Sequence, residues 1–189
     1  MLAGTRSQAV CLGLGVLPCK IRFRMPRKLS HYDSAGRATM VDISAKLPSQ
    51  RRAAATAFVS LKPAVLKALP KNPKGDPLEV ARLAGIMAAK RTHELIPLCH
   101  QLPLEVVSVD FSPNRKKSIL EIEGRAVTQA RTGVEMEALV AVSTAALVIY
   151  DMAKAIDRAM EIGAIRLVAK RGGRSGEFTR PRESLWPSR

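Results

Sequence analysis

Residues 133–158 read "GVEMEALVAVSTAALVIYDMAKAIDR", and between Ala138 and Tyr150 there is no charged side chain. An apolar stretch of this length without strand alternation predicts a helix that is hydrophobic nearly all round, and such a helix must be covered on more than one face. It is shorter than the roughly 18 apolar residues needed to cross a bilayer, and Ser143 and Thr144 interrupt it, so it reads as a core element of a soluble protein. Its ends are polar, with Glu135 and Glu137 at one and Asp151 and Lys154 at the other. Fourteen residues of helix turn Glu137 and Asp151 to similar directions but hold them about 21 Å apart, too far to share one small ligand within a chain. Two copies packed antiparallel through this helix bring one chain's Glu135/Glu137 end to the other's Asp151/Lys154 end. The plainer alternative is that Glu135, Glu137 and Lys154 are solvated charges complementing the helix dipole.

The rest of the chain supplies a partner layer. "RRAAATAFVSL" (51–61) alternates loosely and predicts a half-buried strand. "KPAVLKAL" predicts a short helix opened by Pro63, and "PKNPKGDP" (70–77) a loop. Asp76 before Pro77 is a cap followed by a first-turn proline, so "PLEVARLAGIMAAKRT" reads as a helix with Leu78, Ala81, Gly85 and Ala88 facing inward. Runs 102–112 and 116–127 alternate about a turn at "PNR", with Glu121 and Glu123 on one face and Leu120 and Ile122 on the other. "IGAIRLVAK" (162–170) is a last strand before the glycine-rich "RGGRSG". The order βαββαβ predicts an α+β, ferredoxin-like antiparallel sheet with its helices packed on one face, and the apolar second helix predicts an oligomer.

Charge is uneven along the chain. The 189 residues carry 31 Lys/Arg against 16 Asp/Glu, but residues 1–32 hold six of the bases and no acid, so the remainder is +9. Residues 1–24 lack periodicity and set an apolar run, Ala9 to Cys19, between Arg6 and Lys20. They read as a start assigned upstream of Met25, as an organelle transit peptide, or as a secretory signal. The protein is then cytoplasmic in the first case and of the mitochondrial matrix in the second. Three cysteines, Cys11, Cys19 and Cys99, form no disulfide framework or paired metal-ligand spacing. With His31, His93 and His100 scattered, no zinc set is expected.

Several motifs in one order carry a resemblance: "MVDISAK", "NPKGDPLEVARLAGIMAAKRT", "LIPLCHQLPL", "RTGVEMEAL", "IYDMAKA" and "AKRGGRSGEF". The chain resembles the molybdenum cofactor biosynthesis protein C family, the cyclic pyranopterin monophosphate synthases, from Leu29 to Phe178. This leaves 1–28 as a basic extension, 29–178 as the synthase domain and 179–189 as a basic tail. The resemblance implies a ferredoxin-like subunit, a homohexamer built as a trimer of dimers, and active sites at the dimer interface. It implies conversion of (8S)-3′,8-cyclo-7,8-dihydroguanosine 5′-triphosphate to cyclic pyranopterin monophosphate and diphosphate, a lyase reaction. It places catalytic roles on Asp151, Lys74 and Lys154, and substrate contacts on Leu98, Cys99, His100, Glu135, Met136, Glu137 and Lys170. Gln101 stands where some members have proline, outside these contacts.

These residue types suit that chemistry. A triphosphate and a departing diphosphate call for clustered cations such as Lys74, Lys154 and Lys170. Asp151 beside a lysine, at the i, i+3 spacing it has with Lys154, offers an acid and a base that adjust each other's proton affinity. Carboxylates such as Glu137 accept hydrogen bonds from the N–H groups of a guanine-derived base. No metal or organic cofactor is expected, although Mg²⁺ accompanying the triphosphate is left open, and neither nucleic acid nor membrane is an expected partner. By pattern alone each residue also has an ordinary reading: Lys74 as a solvated loop lysine, Cys99 and His100 as packed residues, and "RGGRSG" as a loop without the Lys-Ser/Thr ending of a P-loop. A rival class, a basic ferredoxin-like RNA-binding module, shares the element order and the charge. It lacks stacking aromatics, since the chain is 4% Phe, Trp and Tyr, and has no Arg-Gly-Phe-type strand motif. A purely structural oligomer would explain the apolar helix but not Lys74, His100 and Lys170.

Overall fold

The computed structural model describes residues 31–69 and 75–181. Lys74, the expected extension 1–28 and most of the 179–189 tail lie outside the described residues. The elements run β1 (Ser49–Ser60), α1 (Pro63–Ala68), α2 (Pro77–Lys90), α3 (Thr92–Leu95), β2 (Leu104–Asn114), β3 (Ile119–Ala130), α4 (Glu135–Ala153), β4 (Glu161–Arg171) and β5 (Phe178–Thr179). The five strands form one sheet in the order β2-β3-β1-β4-β5, with every neighbouring pair antiparallel. This is the α+β ferredoxin-like arrangement expected from the βαββαβ order.

Local chemistry starts and stops the elements. The Asp76 carboxylate accepts a hydrogen bond from the Leu78 N–H at 2.9 Å, and Pro77 follows at the first helical position, so α2 begins where the Asp-Pro pair predicts. The inward face of α2 is Ala81, Gly85 and Ala89; Ala88, expected there, is half-buried because the stripe drifts with the 3.6-residue turn. The hairpin turn spans residues 115–118, so it shares Arg115 with the expected "PNR" and runs on to Ser118. Asn114 Oδ1 accepts from the Lys117 N–H at 3.1 Å, and Ser118 takes a positive φ of 53°, which carries strand pairing through Asn114 and Ile119. The expected helix over 133–158 stops at Ala153, where the Ile156 and Asp157 N–H groups both turn back to the Ala153 carbonyl.

Side chains on alternate positions of β1 and β3 (Ala53, Ala55, Ala57 and Val59; Leu120, Ile122 and Ala126) meet α4 in a single core. By length and hydropathy α4 alone, among the described residues, qualifies to cross a membrane, but nine of its residues are buried between α2 and the sheet. Its apolar circumference is thus partly used up inside one chain, while Leu147 remains 61% exposed. Glycines let the layers approach. A Cβ on Gly124 would lie 2.7 Å from Val142 Cγ1, and one on Gly85 would lie 2.8 Å from the Ala141 carbonyl oxygen. Because that second neighbour is backbone, Gly85→Val is expected to destabilise the fold by about 3 kcal/mol despite valine's better helix propensity, read as a lowered midpoint in urea unfolding.

Candidate active site

The antiparallel path of the chain sorts the chemistry to the two ends of α4. The β1–β3 register pairs Ser49 with Ala130, so the segment entering α4 lies at the Ser49 end of the sheet. β4 finishes at the same end, Lys170 pairing with Ala53. Lys170 Nζ consequently lies 3.6 Å from Glu135 Oε1 and donates a hydrogen bond to Ser175 Oγ. Lys170 is the more buried of that ion pair, at 18% side-chain exposure.

Glu137, one turn into the same end, is buried at 4% exposure. Burial raises its carboxyl pKa to about 7, its own backbone N–H draws it back down, and the nearby Glu135 charge adds to the rise. A solvated capping charge is therefore excluded for Glu137. Its position explains this: Glu137, Ala141, Ala145 and Ile149 recur along the buried stripe of α4. Cys99 is half-buried, and its thiol pKa is raised by burial and then by the Glu137 carboxylate. Leu98, His100 and Met136 are likewise half-buried.

Beside these residues lies a cleft of about 920 Å³ lined by Lys46, Arg51, Arg131, Glu135, Arg174 and Ser175. Lys46, Arg51 and Arg131 are not singled out by sequence reasoning. They are far apart in the chain and meet only through strand register, although Lys46 closes the quoted "MVDISAK". Arg51 is fixed by its Nε, which donates to the Ala130 carbonyl at 3.2 Å. Gly173, at φ 83°, packs on the same guanidinium, where an added Cβ would collide with Arg51 Nη1. The loop after β4 can thus lie against Arg51 only as glycine. The cleft gathers four cations besides Lys170, an arrangement suited to a polyphosphate.

Asp151 and Lys154 occupy the other end of α4. Lys154 Nζ donates to Asp151 Oδ1 at 2.5 Å, as their spacing predicts. That hydrogen bond and the Asp151 charge raise the Lys154 pKa. The two side chains are 55% and 69% exposed, Lys154 the less so, and one chain alone surrounds them with little but water. α2 begins at this end too, following the strand end at Ser60, which brings Gly75 and Asp76 there by topology. Lys74 itself is outside the described residues. Within one chain the predicted residues thus fall into two groups, Cys99, Glu135, Glu137 and Lys170 in one and Asp151 and Lys154 in the other.

Among the described residues no group of three or more His, Cys, Asp or Glu gathers to hold a metal ion. The RNA-binding alternative is not favoured. Phe58, the aromatic on the middle strand's helix-free face, is 3% exposed and offers no stacking platform.

Comparison with known proteins agrees with the quoted motifs. The MoaC family profile matches residues 40–173, somewhat inside the 29–178 span of the resemblance. A cyclic pyranopterin monophosphate synthase of Chloroflexus aurantiacus is 57% identical over 157 residues, covering 82% of this chain and 96% of the relative. Proteins of the same name from Pelotomaculum thermopropionicum and a Nostoc species are each 53% identical, over 160 and 155 residues, covering 84% and 81% of this chain and 94% and 92% of theirs. The chain belongs to the MoaC family.

Proposed function

We propose that this chain is a cyclic pyranopterin monophosphate synthase of molybdenum cofactor biosynthesis, a lyase that releases diphosphate from (8S)-3′,8-cyclo-7,8-dihydroguanosine 5′-triphosphate. The observation that carries the reading is identity above one half, over nearly the whole length of relatives bearing that name. Those relatives are bacterial, which supports a cytoplasmic enzyme over a mitochondrial one. The proposal gives the site no resident metal or organic cofactor.

Forming a cyclic monophosphate from a triphosphate means that an oxygen of the substrate's own hydroxyl bonds to the α-phosphorus while the bond to the diphosphate oxygen breaks. The hydroxyl loses a proton, and the departing diphosphate needs its charge held. In the proposed site Lys170, Lys46, Arg51 and Arg131 hold phosphate oxygens, and Glu135 and Glu137 receive N–H groups of the guanine-derived ring beside Leu98, Cys99, His100 and Met136. Asp151, Lys154 and Lys74 handle the protons. The last group comes from a second copy, because Asp151 and Glu137 stand about 21 Å apart along one rigid helix. The proposed assembly is a homohexamer with its sites where chains meet.

The sharing has its own test. Asp151→Ala and Glu137→Ala chains, each inactive alone, are expected to recover up to about a quarter of wild-type diphosphate release when unfolded and refolded together, since a mixed pair rebuilds one intact site of its two. No recovery in refolded mixtures that have wild-type mass would place the whole site within one chain.

A further inference from the structure

Two glycines line the cationic cleft, Gly133 before α4 and Gly173 after β4, and each lies against the charged head of a side chain placed in the site. A Cβ on Gly133 would stand 1.8 Å from Glu135 Oε2, 2.6 Å from Cδ and 2.8 Å from Oε1, so the carboxylate lies across the open side of this residue. A Cβ on Gly173 would stand 1.8 Å from Arg51 Nη1 and 3.0 Å from Cζ. Neither glycine is in a helix or strand.

Backbone conformation does not account for Gly133. Its φ is not positive, so alanine would be unstrained there, and the three atoms nearest to an added methyl all belong to the Glu135 carboxyl group. Nothing else holds that carboxylate tightly. Its distance of 3.6 Å from Lys170 Nζ is longer than a hydrogen bond, because Lys170 donates to Ser175 Oγ instead. Gly173 has a left-handed backbone, φ 83°, and so meets two requirements at once. Arg51 is fixed on one side by its Nε bond to the Ala130 carbonyl, and the Gly173 loop is fixed on the other by the Gly176 N–H donating to the Gly173 carbonyl at 3.1 Å. Between these anchors the guanidinium has room only because Gly173 has no side chain.

We propose that Gly133 and Gly173 are positioning residues that act through Glu135 and Arg51. Gly133 lets the carboxylate lie back where it receives the N–H groups of the guanine-derived ring, and Gly173 lets the guanidinium lie where it holds phosphate; both roles rest on the synthase reading above. Ordinary van der Waals contact begins at 3.4 Å, so a methyl group at either position pushes the nearest charged atom back by about 1.6 Å. A displacement of about 1 Å in a positioned group costs about 100-fold.

Two measurements on the full-length chain separate the roles: the Kd of inorganic tripolyphosphate, which has no base, by calorimetry, and kcat/KM for diphosphate release from the cyclic dihydroguanosine triphosphate. Gly173→Ala is expected to worsen both about 100-fold, whereas Gly133→Ala lowers kcat/KM about 100-fold and leaves the tripolyphosphate Kd within about twofold of wild type. Gly173→Asn, which accepts a positive φ more readily than alanine, repeats the first arm with less backbone strain. Removing the charged head removes what the methyl displaces. In an Arg51→Ala chain, Gly173→Ala is therefore expected to cost no more than about twofold further, and in a Glu135→Ala chain the same holds for Gly133→Ala. A strained or loosened loop would carry its cost into those backgrounds undiminished. Full additivity in either pair, wild-type tripolyphosphate affinity in Gly173→Ala, or wild-type kcat/KM in Gly133→Ala would each overturn the proposal. A wild type that releases no diphosphate from the nucleotide, yet loses tripolyphosphate affinity on Gly173→Ala, would sink the synthase reading while the hold of Gly173 on Arg51 stands.

Discussion

Asp151→Ala is expected to lower turnover of the cyclic dihydroguanosine triphosphate by about a thousandfold, the scale of losing a positioned proton-transfer group. The fold should not register the change. Asp151 is 69% exposed, and its hydrogen bond to Lys154 is a surface ion pair of the kind that contributes at most about 1 kcal/mol. The loss should therefore appear in kcat, with sedimentation and melting as in wild type. A rate within about tenfold of wild type would remove Asp151 from the chemistry. Lys154 offers an internal check. Its raised pKa comes first from the hydrogen bond to Asp151 and then from the Asp151 charge. In Asp151→Ala its titration should move down toward the ordinary lysine range.

The second large effect is on stability against pH. The Glu137 pKa of about 7 in the folded chain exceeds the ordinary 4.5, so the folded state binds this proton more tightly than the unfolded state does. The stability that its protonated form confers is complete below pH 4.5 and is lost as pH rises to about 7, beyond which the loss is constant. About two and a half units at roughly 1.36 kcal/mol each give about 3 kcal/mol. Glu137→Gln, neutral at every pH, is expected to remove this slope and to be the more stable protein at about pH 8, measured by denaturant unfolding from about pH 4 to 8. Identical pH profiles for the two proteins would show that the carboxyl is solvated. The same substitution should impair substrate binding, so that activity and stability move in opposite directions, as at sites where burial is kept for function.

The fold is legible wherever a local signal and a periodicity agree. Asp76-Pro77 opens α2, and the alternation of Glu121 and Glu123 against Leu120 and Ile122 orients β3, because capping and pleating are local physics. The hairpin turn starts within its expected place at Arg115 but runs on to Ser118, because the Asn114 side chain and the positive φ of Ser118 decide its end, and neither shows in hydrophobicity. β5 escapes a sequence reading because two residues carry no period. At the site, the grouping of Glu135 with Lys170 needs only the strand order, which the element pattern supplies. Lys46, Arg51 and Arg131 need the register that sets Ser49 opposite Ala130, a long-range quantity that spacing within one segment does not contain. The buried state of Glu137 is recoverable, since counting in fours from Ala145 through Ala141 reaches it on the inward stripe.

The unbroken α4 also acts as a gauge. One residue inserted between Glu137 and Asp151 would swing the far pair through about 100° and push it about 1.5 Å outward, and in a symmetric assembly the error would enter every site at once. Length variation among functioning relatives should therefore collect in the 70–75 connection and the β2–β3 turn, and spare the interval between those two carboxylates.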